Sequence, residues 1–471
     1  MKRSALLLLL LATSLGFAQE SYFGVYLGEA KLGYVSYSQK QELYQGKLAR
    51  RVDSKNVINA GMLGQGMSMR MSSTSWSTLQ NRPIRMRFLL ESGGRTQLTD
   101  AVFAGSKILV TSDNSGKKDR KTLIIPSGGE VIDDPILALL ADGAARGAKK
   151  VAYVLDPMTI SLVKTTSVLK GRAKVVVNGR SIDATLIELE DPRSPMKLYV
   201  SAKGDLIKAE GPVGIAMIPE SKAQALGSNS TGYEPSTDLA ISSSIKTDKP
   251  IGDPNELKRL VMRVSGQDLS RLPSDSHQTV TKKGASWIVD VHPPDSSSRP
   301  SVTISQAAKA QPKWVKPSTH VASGDAEIRA LAKRLIGKKA RVLEAAQAIR
   351  RHVNSIMTPN AGIGVLRNAA EVLKTKEGVC RDYAILTAAL MRAANIPTRL
   401  TSGLVYMDGM FYYHAWVEVF EGKEWIGLDS TQPYDQINPS HVKLSQGNVE
   451  DAFVFTFFDK VKLEVLTVEK K

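Results

Sequence analysis

Two hydrophobic periodicities divide the chain. From Ser21 to about Ile218, apolar and polar residues alternate near period two, in segments such as 22–26, 32–37, 107–111 and 173–177. This is the pattern of half-buried strands. Asn178-Gly179 sits between two such runs and predicts a tight hairpin, and only 133–145 reads as helix in this half. A polar loop is expected around Ser228 to Thr237, strands at 260–264 and 286–291, and a Pro- and Ser-bearing linker from 292 to 317. From Ser323 the spacing turns helical, over 325–336 and 342–356, and an Ala- and Leu-rich helix is expected from Cys380 to about Ala394, with Pro397 beyond it. Strands are then predicted at 398–407, 410–420 and 423–431, joined by the two-residue turns Asp408-Gly409 and Glu421-Gly422.

The expected architecture is α+β and multidomain: a β-rich N-terminal domain at 19–227, a small middle β segment and linker at 228–320, an α/β domain at 321–447 and a C-terminal strand extension at 448–471. A length of 471 residues, 42% of them hydrophobic, supports several cores and excludes wholesale disorder. Lys2 and Arg3 precede an apolar run from Ala5 to Ala12, and Gly16-Phe17-Ala18 supplies small residues at a cleavage site. Residues 1–18 therefore read as a signal peptide, with export to the periplasm or beyond.

The formal charge of +17 favours polyanions or an anionic envelope surface as a partner, with the basic cluster Lys333, Arg334, Lys338, Lys339, Arg341, Arg350 and Arg351 its largest local source. Solvated helix faces account for such a cluster more simply. No motif interleaves aromatics with it, so no nucleic acid is expected. The six His show no metal-ligand spacing, and neither a metal nor a cofactor is expected. Gly61 to Gly66 lacks the context of a phosphate loop, and the Ser-x-x-Lys spacings at 161–164 and 167–170 fall in strands.

Cys380 is the one cysteine, so no intramolecular disulfide can form. At a helix start its thiol gains the stabilisation that a thiolate nucleophile needs. The two turns place partners for it. If Met407 pairs with Met410 and Phe420 with Lys423, His414 faces Gly403 on one neighbour and Asp429 on the other. Imidazole, carboxylate and thiol in this relation are a base, its orienter and a nucleophile. Trp416 and Trp425 share the His414 face and are candidates to wall a substrate cleft beside Gly403; Asp382 reads as a first-turn helix charge. A second oxyanion donor, besides the Cys380 N–H, is sought in Asn354 or Asn360, and Glu418 is either an amine-binding acid or a solvated strand residue.

Gly378-Val379-Cys380-Arg381-Asp382-Tyr383-Ala384, Ile396-Pro397-Thr398-Arg399 leading to Gly403, His414-Ala415-Trp416-Val417-Glu418-Val419 and Trp425-Ile426-Gly427-Leu428-Asp429-Ser430-Thr431 together resemble the transglutaminase-like superfamily of papain-type cysteine enzymes, over about 325–447. The Asp-Pro-Thr common in the last motif is Asp-Ser-Thr here. The resemblance implies a Cys-bearing helix packed on an antiparallel sheet bearing His and Asp, with Cys380, His414 and Asp429 as the triad. It implies amide or peptide acyl chemistry without dividing cleavage, transamidation and deamidation; hydrolysis of a protein, peptide or cell-wall peptide is favoured separately, because water outnumbers any amine outside the cell. The competing expectation is a non-catalytic binding or scaffold protein of the envelope. Oligomeric state is not legible in the sequence.

Overall fold

The structure, a computed structural model, describes residues 20–62, 64–141, 145–202, 204–227, 238–294, 301–452 and 461–471. The expected signal peptide and the loop at 228–237 lie outside them. The chain forms two compact units, residues 20–242 with 362–366, and residues 243–361 with 367–471. No described helix is long and apolar enough to cross a membrane.

The first unit is a fourteen-stranded antiparallel sheet made of two meanders. Eight strands run from Ser21–Leu27 to Lys117–Ile124, six from Lys149–Asp156 to Ile215–Glu220, and the pairing of Ser21–Leu27 with Ile215–Glu220 joins them. The alternation seen in the sequence is the pleat of these strands, whose buried faces carry residues such as Val25, Val35, Leu90, Ala101 and Ile187. Asn178-Gly179 is the expected hairpin, with Val177 opposite Arg180. The predicted helix is shorter, Pro135–Ala141. Residues 161–170 lie within one strand, Ser161–Val177.

Among the described residues the second unit has two main sheets, besides a two-stranded parallel pairing of Thr358–Pro359 with Glu377–Gly378. The middle segment contributes Leu257–Ser265, Gln278–Lys283 and Ser286–Val291, and Lys462–Lys470 pairs with the first of these to complete four strands. The stretch read as a linker carries a helix, Ile304–Ala310, started by Thr303, whose hydroxyl accepts the Gln306 N–H while the Gln306 side chain returns to the Thr303 N–H. That Thr-x-x-Gln box was legible in the sequence. Residues 295–300 of the same stretch lie outside the description.

The other sheet is built on Met410–Glu421, with Thr398–Met407 on one side, which pairs in turn with His441–Gly447, and Glu424–Leu428 on the other. Helices Ala326–Ile336, Val342–Ile356 and Ala369–Thr375 pack round the helix Cys380–Ala393, which also packs on Met410–Glu421. Nearly every residue of that central helix is buried, which explains its Ala- and Leu-rich composition.

Candidate active site

Cys380 opens its helix, and the structure fixes that start from behind. Asp382 Oδ2 accepts the Val379 N–H at 3.0 Å, and Asp382 Oδ1 is held by Arg367 Nε at 3.2 Å. Arg367, fully buried, also donates to the Glu377 carbonyl at 2.5 Å and to Thr375 Oγ1 at 2.9 Å. Asp382 is therefore more than a helix-dipole charge: with Arg367, which the sequence reading passed over, it anchors the turn that presents the thiol. The Cys380 N–H is among the four to which the helix itself offers no acceptor.

Met407 pairs with Met410 and Gly403 with His414, as the Asp408-Gly409 turn predicts. Gly403 does not open space for substrate. A Cβ there would lie 2.5 Å from Trp416 Cη2 and 2.0 Å from the Val442 carbonyl, so the missing side chain lets the indole and the neighbouring strand close in. Trp416 is buried at 1% exposure, beneath His414 instead of lining a cleft. Trp425 lies opposite Phe420, six residues along the strand from His414, or roughly 20 Å at strand rise. It stacks under Arg399 at 4.1 Å and does not border the site.

The next turn differs from expectation. Glu421 pairs with Glu424 and Val417 with Leu428, a register two residues from the one predicted, because the turn is Gly422-Lys423, with Gly422 at φ +78°. The strand ends at Leu428, and Asp429 stands just past the ladder. It still meets His414: Nε2 lies 2.7 Å from Asp429 Oδ2. Asp429 Oδ1 accepts from the Thr431 N–H and Oγ1, both at 2.8 Å. The His414 side chain also hydrogen-bonds the Cys380 thiol.

Electrostatics follow from this alignment. Burial disfavours the charged His414 imidazole, but Asp429 and then Cys380 outweigh it and push its pKa up to about 9. Burial likewise works to raise Asp429, and the charge and hydrogen bond of His414 hold it well below the usual carboxylate range. Burial pushes the Cys380 thiol up, and the charge and hydrogen bond of the His414 imidazolium work against that rise.

A residue that sequence reasoning missed completes the group. His441, paired with Val405, brings Nε2 to 3.4 Å from Asp429 Oδ2 and packs edge-on against Trp416 at 5.3 Å. The buried His277 ring donates from Nε2 to the His441 carbonyl at 2.6 Å. Only the pairing of distant strands unites these residues, so no local spacing could announce them. Glu418 is neither solvated nor free for an amine. It is fully buried between Arg399 Nε and Lys443 Nζ, each at 2.7 Å, and Lys443 reaches Asp275 at 2.5 Å. The two asparagines considered as oxyanion donors face other acceptors, Asn354 the Ser430 carbonyl at 3.0 Å and Asn360 the Glu377 carboxylate at 2.9 Å.

The family comparison matches residues 329–430 to the transglutaminase-like superfamily. The C-terminal unit carries a transglutaminase-like domain. Uncharacterized proteins of Mycobacterium tuberculosis and Mycobacterium bovis are 36% identical over 75 residues, 13% of this chain and 24% of each relative. The match thus spans about a quarter of the length of these curated relatives. Among solved structures, a candidate cysteine protease from Cytophaga hutchinsonii aligns with 45% of this chain and 86% of its own at 19% identity and a TM-score of 0.32. A β-barrel-like protein of unknown function from Brucella abortus aligns with 43% of this chain and 94% of its own, at 12% identity and a TM-score of 0.31.

Proposed function

We propose that this chain is an exported cysteine enzyme that cleaves amide bonds in a protein, peptide or cell-wall peptide, using Cys380 as nucleophile, His414 as acid and base, and Asp429 to orient the imidazole. The observation that carries the reading is the continuous line from thiol to imidazole to carboxylate, with His414 Nε2 2.7 Å from Asp429 Oδ2 and Nδ1 left for the thiol. The thiolate attacks the carbonyl carbon, and the Cys380 N–H at the helix start receives the developing oxyanion. His414 then passes its proton to the leaving amine as the C–N bond breaks, leaving a thioester. Water, deprotonated by His414, attacks that thioester and releases the acid and the thiol.

An amine in place of water would give transamidation by the same steps. Hydrolysis is favoured by the concentration of water and by Glu418, the one acid weighed as an amine ligand, being held by Arg399 and Lys443. The non-catalytic alternative has one observation on its side, the burial of Cys380 at 5% exposure. It leaves unexplained why a buried thiol should face an imidazole already aligned by a carboxylate.

The test is incubation of the protein and of Cys380→Ala with peptides containing Gln and Lys and with cell-wall peptides, with and without a labelled primary amine, products being read by mass. Truncated peptides absent from the variant reaction support hydrolysis, amine incorporation reverses the preference, and no Cys380-dependent product favours the scaffold.

A further inference from the structure

His414, Asp429 and His441 offer two imidazole nitrogens and a carboxylate oxygen, all within 4.8 Å of one another and all buried. The histidines are 27 positions apart in sequence and meet only because the His441 strand joins the sheet. Their local hydrogen bonding distinguishes this from an ordinary buried cluster. On its Nδ1 side, His441 faces two oxygens, the Asn438 carbonyl and Asn438 Oδ1, each at 3.3 Å. That Oδ1 already accepts the Ser440 N–H at 3.0 Å, so it is an acceptor towards His441 as well. A neutral imidazole carries one ring proton, and His441 has oxygens at both ring nitrogens, so one of its lone pairs must oppose an oxygen whichever nitrogen is protonated. With the proton on Nδ1, the Nε2 lone pair opposes Asp429 Oδ2 at 3.4 Å, a repulsion that a cation at Nε2 relieves. Nδ1–H on a backbone carbonyl with Nε2 free is the arrangement by which a protein holds a metal-ligating histidine.

We infer that His414 Nε2, Asp429 Oδ2 and His441 Nε2 form a binding site for a divalent transition-metal ion of the zinc class. Tetrahedral coordination with bonds of about 2.0 to 2.1 Å sets neighbouring ligand atoms about 3.3 Å apart. His441 and Asp429 already stand at 3.4 Å, and His414 must open from 2.7 Å by roughly half an ångström. The three side chains leave a fourth tetrahedral position for water. Two nitrogens and one oxygen suit zinc or copper better than magnesium or calcium, which prefer all-oxygen sites.

Metal entry replaces the hydrogen bond between His414 and Asp429, and its proton leaves to solvent. His414 then keeps only Nδ1–H, which can no longer accept the Cys380 proton. On the proposed reaction, the ion is a reversible off-switch that acts without touching the thiol. Binding itself needs no turnover and does not depend on that reaction.

The experiment is Co2+ titration of the full protein and of Cys380→Ala, reading the visible bands of a tetrahedral ion, with Zn2+ displacement as the competition. Equal band growth in both proteins, and at least tenfold weaker binding in His441→Gln and His441→Ala, are expected. Absence of tetrahedral bands in the wild-type protein overturns the site. Bands lost in Cys380→Ala but kept in both His441 variants also overturn it, since they place the metal between thiolate and His414. A variant that fails to fold is recognised by its lost near-ultraviolet dichroism, and the comparison of wild type with Cys380→Ala then decides alone.

Discussion

His414 and Asp429 meet at 2.7 Å although the strands that carry them never place them opposite one another. The ladder ends at Val417 and Leu428, and Asp429 turns in from just beyond it. The hydrogen bond is therefore specified by the loop after the strand, which Thr431 fixes through its N–H and hydroxyl to Asp429 Oδ1.

Asp429→Asn should keep the fold and lower kcat on the order of 10^3- to 10^4-fold, because an amide can stabilise neither the imidazolium nor the required tautomer. Asp435 is no neutral control, since it pairs with the buried Arg350 at 3.0 Å. Asp408, in the turn with Gly409, serves instead: Asp408→Asn should leave turnover within about twofold, Asn being equally suited to a positive-φ turn. Steady-state kinetics on any substrate found decides between them.

Iodoacetamide should label Cys380 below the pH of an ordinary thiol, and His414→Ala should move that labelling upward. Turnover should follow a bell, rising as the thiolate forms and falling as the His414 imidazolium, with its pKa near 9, loses its proton. A labelling profile identical in wild type and variant would remove the imidazole from the thiol's activation.

Removing Glu418 should unfold more than it disarms. Glu418→Gln leaves Lys443 and Arg399, both buried, with Asp275 as their remaining carboxylate, and a broken buried pair costs about 3 to 5 kcal/mol. Urea unfolding should register that loss, whereas Glu256→Gln, which breaks the exposed pair with Lys470, should barely shift the midpoint.

Mild acid should weaken this unit through His277. Burial, first, and then the charge of Lys443 lower its pKa to about 4, while the unfolded chain titrates near 6.5. Between those values the unfolded state binds more protons, so stability falls as pH drops from 6.5 towards 4. At pH 5 the loss is about 2 kcal/mol relative to pH 7. His277→Gln, whose amide can donate to the same His441 carbonyl, should flatten the slope over that window in unfolding experiments.

Much of the domain was legible because its signals are local. The helix Val342–Ile356 and the strand Thr398–Met407 begin and end where the periodicity predicts, and Asp408-Gly409 sets the register that puts Gly403 beside His414. Glu421-Gly422 and Gly422-Lys423 were equally acceptable turns by composition, and the choice between them moved the register by two. An even shift leaves every side chain on its own face, which is why Asp429 still arrives on the side of His414. Burial of Glu418 was not legible, because its partners lie 25 and 19 positions away and a charged residue in a strand usually faces water. His441 was hidden for the same reason, its nearness to Asp429 being a property of strand order.

The sheet that braces this site also has an order in time. Leu257–Ser265 waits for Lys462–Lys470, roughly 200 residues downstream, before its open edge is covered. Asp275 and Gln278, which grip Lys443, belong to the segment leading into that sheet and into its neighbouring strand. A ribosome adding residues in sequence thus releases Cys380, His414 and Asp429 before the brace can close, and the last strand of the fourteen-stranded sheet, Ile215–Glu220, emerges long before either. The thiol should acquire its reactivity in one late step, when distant strands finally meet, and a nascent chain halted short of residue 462 should carry an ordinary cysteine.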